Sequence, residues 1–423
     1  MMKSLKVFNL NIVNLIISLV ALFLISGPFI PDLIVSLSSL VFLFYIFKKK
    51  LFFYFTKKPL VVFFIFCLYC ILISLFISEN IFLSFESSLF YFRIGVFSCL
   101  IWFLIEQDKK ILQYFYYTLI FCFTVLVIDG YIQYFVGENI LGFPKYQGRR
   151  ISSLFGEEMI MGSYLSRLFP LLFALFLIRE KKWFETYFIS LLFILIDILI
   201  YMSGERTAFF YLNLSTLFII ILINQYQKFR LVTFVIALIL IIILTSTNDK
   251  LKTRMITKPA INMGFIKSDQ EKYIFTKIHD SHIKTSYNMF LDKPIFGHGP
   301  KMFRIVCKDE KYATGVRPCS SHPHNFYIQL LAETGIIGFM FLFSALTYVI
   351  YCFVVQLINI IFKKKRILSD YQVCLLACLL ITVWPLAPNG NFFNNWLAIC
   401  YSLPVGFYLH SIYGRNRNTL LIK

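Results

Sequence analysis

Residues 321–325 read Ser-His-Pro-His-Asn and run directly into a strongly apolar stretch beginning at Phe326. Pro323 fixes its own φ and keeps His322 extended, so the two imidazoles are aimed by the backbone. Asn325 is suited to cap a helix that starts at Phe326. That helix would carry Gly335 and Gly338 three apart, leaving one face with almost no side-chain bulk. His324 then sits at the positive end of a helix, where imidazolium is disfavoured. A neutral imidazole near pH 7 can act as a general base. A lone histidine at such a place usually only hydrogen-bonds the backbone. The adjoining amide, the two glycines and the basic segment upstream favour chemistry, with His322 touching substrate or orienting the loop.

Three other short runs carry candidate chemistry. Ser203-Gly204-Glu205-Arg206 separates two apolar stretches. Gly204 permits a tight reversal, and the Arg206 guanidinium can hold two phosphate oxygens without a metal. Its ordinary role would be a surface arginine paired with Glu205 or with lipid head groups. Arg149-Arg150-Ile151-Ser152-Ser153-Leu154-Phe155-Gly156-Glu157-Glu158 offers Arg149 and Arg150 to phosphate or sugar and Glu158 to sugar hydroxyls. Pro294-Ile295-Phe296-Gly297-His298-Gly299-Pro300 must turn. It reads as scaffolding that returns the chain toward His322, with His298 a further candidate.

These runs have to be positioned by a membrane-embedded framework. The chain is 59% hydrophobic and 19% aromatic, with a mean hydropathy of +0.74. A soluble surface cannot be built from that composition. Apolar runs of about 20 residues recur throughout, which predicts an all-α integral membrane protein of about twelve spans. The expected spans cover about 7–26, 29–47, 59–78, 87–105, 111–135, 159–178, 184–203, 206–224, 230–246, 328–362, 370–388 and 395–412. The first run lacks a small-residue cleavage site and reads as a retained helix. Residues 1–246 form an N-terminal bundle and 328–423 the last three spans of one membrane domain. The long connection between them, about 247–327, is too polar to span and too long for an idle turn.

Lys and Arg orient the framework. One set of connections holds Lys48 to Lys50, Lys57, Lys58, Lys109, Lys110, Arg179, Lys181, Lys182, Lys228, Arg230 and Lys363 to Arg366. Both termini are basic as well. The opposite short connections at 27–31, 78–86 and 388–395 hold no Lys or Arg. This asymmetry predicts cytoplasmic termini and an outward-facing 247–327 connection. Arg149, Arg150 and Arg206 are outer-side exceptions, and the 247–327 connection holds 14 Lys/Arg against 7 Asp/Glu. The formal net charge of +19 is therefore mostly orientation charge. The outer surplus points to an anionic partner, such as the phosphates of a lipid-linked substrate.

Cys307 and Cys319 are the only cysteines of that connection, and an oxidising outer compartment would join them. No Cys/His spacing suggests zinc, and no cofactor is expected. Asp129 and Asp197 lie inside apolar runs, where a carboxylate marks a polar cavity or a partner and would suit a proton path in a transporter. No nucleic-acid module is recognisable.

The ordered motifs resemble those of the O-antigen ligase and polymerase superfamily, membrane glycosyltransferases that use polyprenyl-diphosphate-linked sugars. The resemblance lies in His324-Asn325 with Gly335 and Gly338, and in Arg206 after Ser203-Gly204. It extends to the Arg-x-Ser-x-x-Phe-Gly run at 150–156 and the Pro-x-x-Gly-x-Gly-Pro run at 294–300. It implies an enzyme facing the periplasm from the inner membrane of a Gram-negative cell. The donor would be an undecaprenyl-diphosphate-linked glycan. The acceptor would be lipid A-core for a ligase, or another lipid-linked glycan for a polymerase. The implied reaction is a single inverting, metal-independent displacement, with His324 as base and Arg206, Arg150 or Arg149 on the leaving diphosphate. Many relatives place a second phosphate-binding arginine upstream of the Pro-Gly run. Here that segment reads His279-Asp280-Ser281-His282-Ile283-Lys284, so Lys284 or His282 stands in its place. A protein oligosaccharyltransferase and a lipid-glycan transporter are the alternatives.

Overall fold

The computed structural model describes residues 10–148, 150–180, 183–267 and 271–415. Every apolar stretch read from the sequence holds helix, and no β-strand occurs among the described residues. Among the described residues seven helices are long and apolar enough to cross a membrane: Phe29–Lys49, Lys58–Phe76, Ile81–Gln107 (with a break at 90–91), Lys110–Val136, Trp183–Met202, Gln227–Thr247 and Phe326–Ile361. Leu10–Phe23, Met161–Leu177, Arg206–Leu222 and Asp370–Thr382 are shorter apolar helices, and Asn395–Tyr413 is the last helix among the described residues. The chain is thus a helical membrane protein. Length and apolarity support seven of the expected spans.

Local sequence explains the ends. Asn80, Thr276, Asn325 and Asn394 each accept a hydrogen bond from a backbone N–H of the first turn they precede. Ser369 and Gln372 form a capping box. The stretch expected over 370–388 stops being helical after Thr382, because Pro385 and Pro388 cannot continue a helix. Residues 383–394 instead form an irregular segment that folds against the site.

Two helices form the centre. Every residue from Ile94 to Ile105 is buried, as is every residue from Tyr164 to Leu177. A helix apolar on all sides must be enclosed by others. Phe92–Gln107 packs chiefly on Asn395–Tyr413, and Met161–Leu177 on Asp370–Thr382. The outer helices expose Phe44, Phe47, Ile65, Leu68, Ile239 and Ile242, the pattern expected of lipid-facing surface.

Both intrahelical aspartates have structural partners. Asp129 accepts from Ser153 Oγ at 2.6 Å and from the Ile140 backbone at 2.8 Å, fixing the 137–155 connection. Asp197 pairs with Arg230 at 3.2 Å, with side-chain exposures of 3% and 0%. Thr216 and Thr233 also take guanidinium hydrogens, and Phe169 and Phe193 flank the group. Arg230, counted above among the orienting Lys and Arg, is therefore a buried structural cation. Breaking a buried pair leaves an uncompensated charge and costs about 3–5 kcal/mol. Asp197→Ala is expected to lower the thermal unfolding midpoint of detergent-purified protein sharply, while replacing both partners with apolar residues should recover most of the loss.

The Phe326–Ile361 helix departs from the expected regular course. Gly335 has φ +63° and ψ −166°, so the helix is interrupted there. A Cβ at Gly335 would collide with the Ile295 carbonyl, and Ile336 N donates to Pro294 O at 2.9 Å. The interruption exists to receive the 294–300 turn. His298 N and Gly299 N donate to the carbonyls of Ala332 and Glu333, which stitches that turn to the helix.

Candidate functional site

Connections at one end of the bundle converge on a cavity of about 1080 Å³. Its wall includes Gly27 and Pro28, the 154–160 segment, Gly204 to Ala208, Ser321, His322 and the 388–391 segment. Five arginines line it, namely Arg150, Arg167, Arg206, Arg254 and Arg304, with Glu157, Glu158 and Glu205 as the carboxylates. These connections all lie on the side opposite the Lys-rich ones. A partly enclosed space with this excess of guanidinium suits an anion carrying several phosphate oxygens.

The cations are individually braced. Arg150 Nε donates to Ser203 O at 3.4 Å, and burial lowers the pKa of Arg150. Arg206 opens its helix, and its Nε donates to Arg254 O at 2.9 Å. Arg167 is 6% exposed; it donates to Asn389 Oδ1 at 2.7 Å and lies over the Tyr211 ring. Glu205 does not simply pair with Arg206. Its carboxylate accepts from Gly162 N at 2.7 Å and Ser163 N at 3.1 Å, at the start of the Met161–Leu177 helix. Burial pushes its pKa up to about 7 against the pull of those donors and of Arg150.

The imidazoles form a second cluster beside this wall. His322 lines the cavity; its Nδ1 lies 2.9 Å from Ser321 Oγ, and its Nε2 has no partner among the described residues. The His324 ring stands 4.1 Å from that of His322, 5.1 Å from His279 and 5.4 Å from His282, centroid to centroid. Its Nε2 is 3.4 Å from Ser320 Oγ. Burial, then the neighbouring imidazoles, push the His324 pKa down to about 3. Burial likewise takes His322 and His279 to about 4. All three are neutral above these values. Among the described residues no group of three or more His, Cys, Asp or Glu side chains is arranged to hold a metal ion.

His324 has φ +60°, a left-handed conformation that costs a non-glycine residue about 1–3 kcal/mol and tends to occur at functional sites. Asn389 N donates to its carbonyl at 2.7 Å. Asn325 holds the next position, accepting from Tyr327 N and Ile328 N while its Nδ2 donates to Pro385 O at 2.7 Å. Asn325 is thus a cap and a bolt to the 383–394 segment. Below it, Glu333 is fully buried and accepts from Phe303 N at 3.0 Å and Gln329 Nε2 at 2.9 Å. A disulfide joins Cys307 to Cys319, tying the segment that carries Arg304 to the one that leads into His322.

The structure brings together Arg206, Arg150, Glu158 and His322 at the cavity, with His324 one ring behind. Lys284 is elsewhere: its ammonium pairs with Asp280 at 2.8 Å, one turn back, and its side chain is 60% exposed. His298 is fully buried, with Nε2 3.1 Å from Met289 O, and is a scaffold residue. Gly338 packs so closely on Thr334 that no side chain fits. Arg149 lies outside the described residues. Sequence reading missed Arg254, Arg304, Arg167 and the 383–394 segment as site elements. Two signals were available: five of the six histidines fall between His279 and His324, and 385–394 is rich in Pro and Asn.

No curated protein matches the chain. Residues 188–343 match the family model described as O-antigen ligase, a span that runs from the helix before Arg206 past Gly338. By that match, the part of the chain that carries Arg206, His324 and both glycines of the His-Asn motif is similar to the O-antigen ligase family.

Proposed function

We propose that this chain is an inverting glycosyltransferase of the inner membrane that moves a glycan from undecaprenyl diphosphate to lipid A-core, an O-antigen ligase. The observation that carries the reading is the cavity itself: five arginines and His322 at one end of an apolar bundle. Much of its wall comes from connections opposite the Lys-rich ones, and the alternation of Lys and Arg supports a periplasmic site. The same alternation supports twelve spans and cytoplasmic termini, with residues 1–246 and 328–423 forming one membrane domain around the 247–327 connection.

In this reading His324 takes the proton of the acceptor hydroxyl as its oxygen attacks the anomeric carbon, and His322 meets the acceptor at the cavity wall. The bond to the diphosphate breaks on the opposite face, and its electrons pass to the phosphate oxygen. Arg206, with Arg150, offsets that charge where it develops, which is where fixed cations lower a barrier most. Arg149 is a further candidate for the same role. Glu158 is placed to accept from sugar hydroxyls. Asp129 and Asp197 have structural partners, which supports a structural role for them over the proton path that a transporter reading would draw on.

The test is deletion followed by gel analysis of lipopolysaccharide. A ligase leaves core without long chains while lipid-linked polymer accumulates. Core bearing a single repeat unit would assign the chain to polymerisation instead.

A further inference from the structure

The geometry points to Arg254 as the second diphosphate-binding residue, coupled to Arg206 so that the two guanidiniums form one cradle for adjacent phosphates. This rests on the proposed function and deepens it. Arg254 lies on a π-helical turn, Thr253–Thr257, between two short helices that follow the Gln227–Thr247 helix. Such turns are uncommon and recur at functional sites. The turn sets Arg254 against the reversal at Gly204. Arg254 Nε donates to Gly204 O at 2.9 Å, and Arg206 Nε donates to Arg254 O at 2.9 Å. Arg206 is therefore held by the Arg254 carbonyl, and Arg254 by the Gly204 carbonyl two residues before Arg206. Gly204, at φ +70°, is what makes room: a Cβ there would collide with Arg254 Nε and Cδ.

Both side chains line the same cavity. Their charges repel, and the repulsion lowers the pKa of Arg206 in addition to the larger effect of its burial. Glu205, the nearest buried carboxylate, is already engaged by Gly162 N and Ser163 N. Among the described residues the Arg206 side chain bonds Arg254 O through Nε, and the charge that acts on it is that of Arg254. Two cations held side by side at one cavity wall match a ligand with two adjacent anionic groups. A monophosphate would use only one of them. Lys284, the sequence candidate for this task, is turned to Asp280 and cannot supply the second charge from its position.

The test uses purified full-length protein in detergent, with undecaprenyl diphosphate and undecaprenyl monophosphate as probes. Wild type should prefer the diphosphate. Arg254→Ala should weaken diphosphate binding roughly tenfold or more, the scale of one lost charge-assisted contact, and leave monophosphate binding nearly unchanged. Arg254→Lys should fall between. If Arg254→Ala does not remain monodisperse, Arg254→Gln, which keeps a donor for Gly204 O, is judged by the same criterion. A wild-type diphosphate preference in the folded variant overturns the inference while leaving the function intact, provided Arg206→Ala still loses binding. Wild type that binds neither lipid sinks the proposed function itself.

Discussion

Arg206→Ala is expected to lower glycan transfer by about 10²–10³-fold, the scale seen when one preorganised group is removed from a developing anion. Arg206 opens its helix beside the reversal at Gly204, and its Nε is anchored on Arg254 O. The anchor removes rotamer freedom before substrate arrives, so the guanidinium costs little to organise at the moment of bond breaking. Arg206→Lys retains the charge and loses both the anchor and the fork. Its activity should recover only part of the loss. The comparison is initial rates of transfer with expression matched and with donor saturating, so that a change in kcat is separated from weaker donor binding. Near-normal kcat in Arg206→Ala would reduce Arg206 to an orienting or lipid-contacting residue and move the leaving-group role to Arg150, Arg304 or Arg254.

His324→Ala should cost about 10²-fold or more, the typical contribution of a positioned general base. His322→Ala should cost less. Position alone would favour His322, which faces the cavity while His324 stands one ring behind it. The strained φ of His324, held by Asn389 and flanked by the Asn325 cap, favours it as the residue the fold is built to present. Burial keeps its pKa far below the usual value. A depressed pKa leaves the imidazole neutral above about pH 3, so kcat/KM should stay flat between about pH 8 and pH 5 as far as this group is concerned. An inactive His322→Ala beside an active His324→Ala would make His322 the base.

The apolar framework was legible because lipid requires runs of about 20 residues whatever their contacts. Motif positions were legible for the same local reason: Asn325 caps the helix that its type and place predict. What depended on distant partners was not. Gly335 interrupts its helix to admit Ile295 and Pro294, an approach no periodicity reveals. Arg230 counted as one more orienting charge, and its pairing with Asp197 from another helix is not visible in sequence. Arg254 is one of 14 Lys and Arg in the 247–327 connection, and nothing short of the fold separates it from its neighbours. Hydropathy carried the 370–388 stretch past Pro385, although proline chemistry ends that helix. The relative depth of His322 and His324 turns on the φ of His324, which sequence does not state.

The most direct test of the account is transfer by the purified chain alone. It would be given an undecaprenyl-diphosphate-linked glycan of known anomeric configuration and lipid A-core as acceptor, in the presence of a chelator. The account predicts a glycosylated core with the anomeric configuration inverted and undecaprenyl diphosphate released in equal amount, at a rate the chelator does not change, because guanidinium groups hold the leaving diphosphate. A product with retained configuration, or no transfer from a folded protein that binds both substrates, would contradict it.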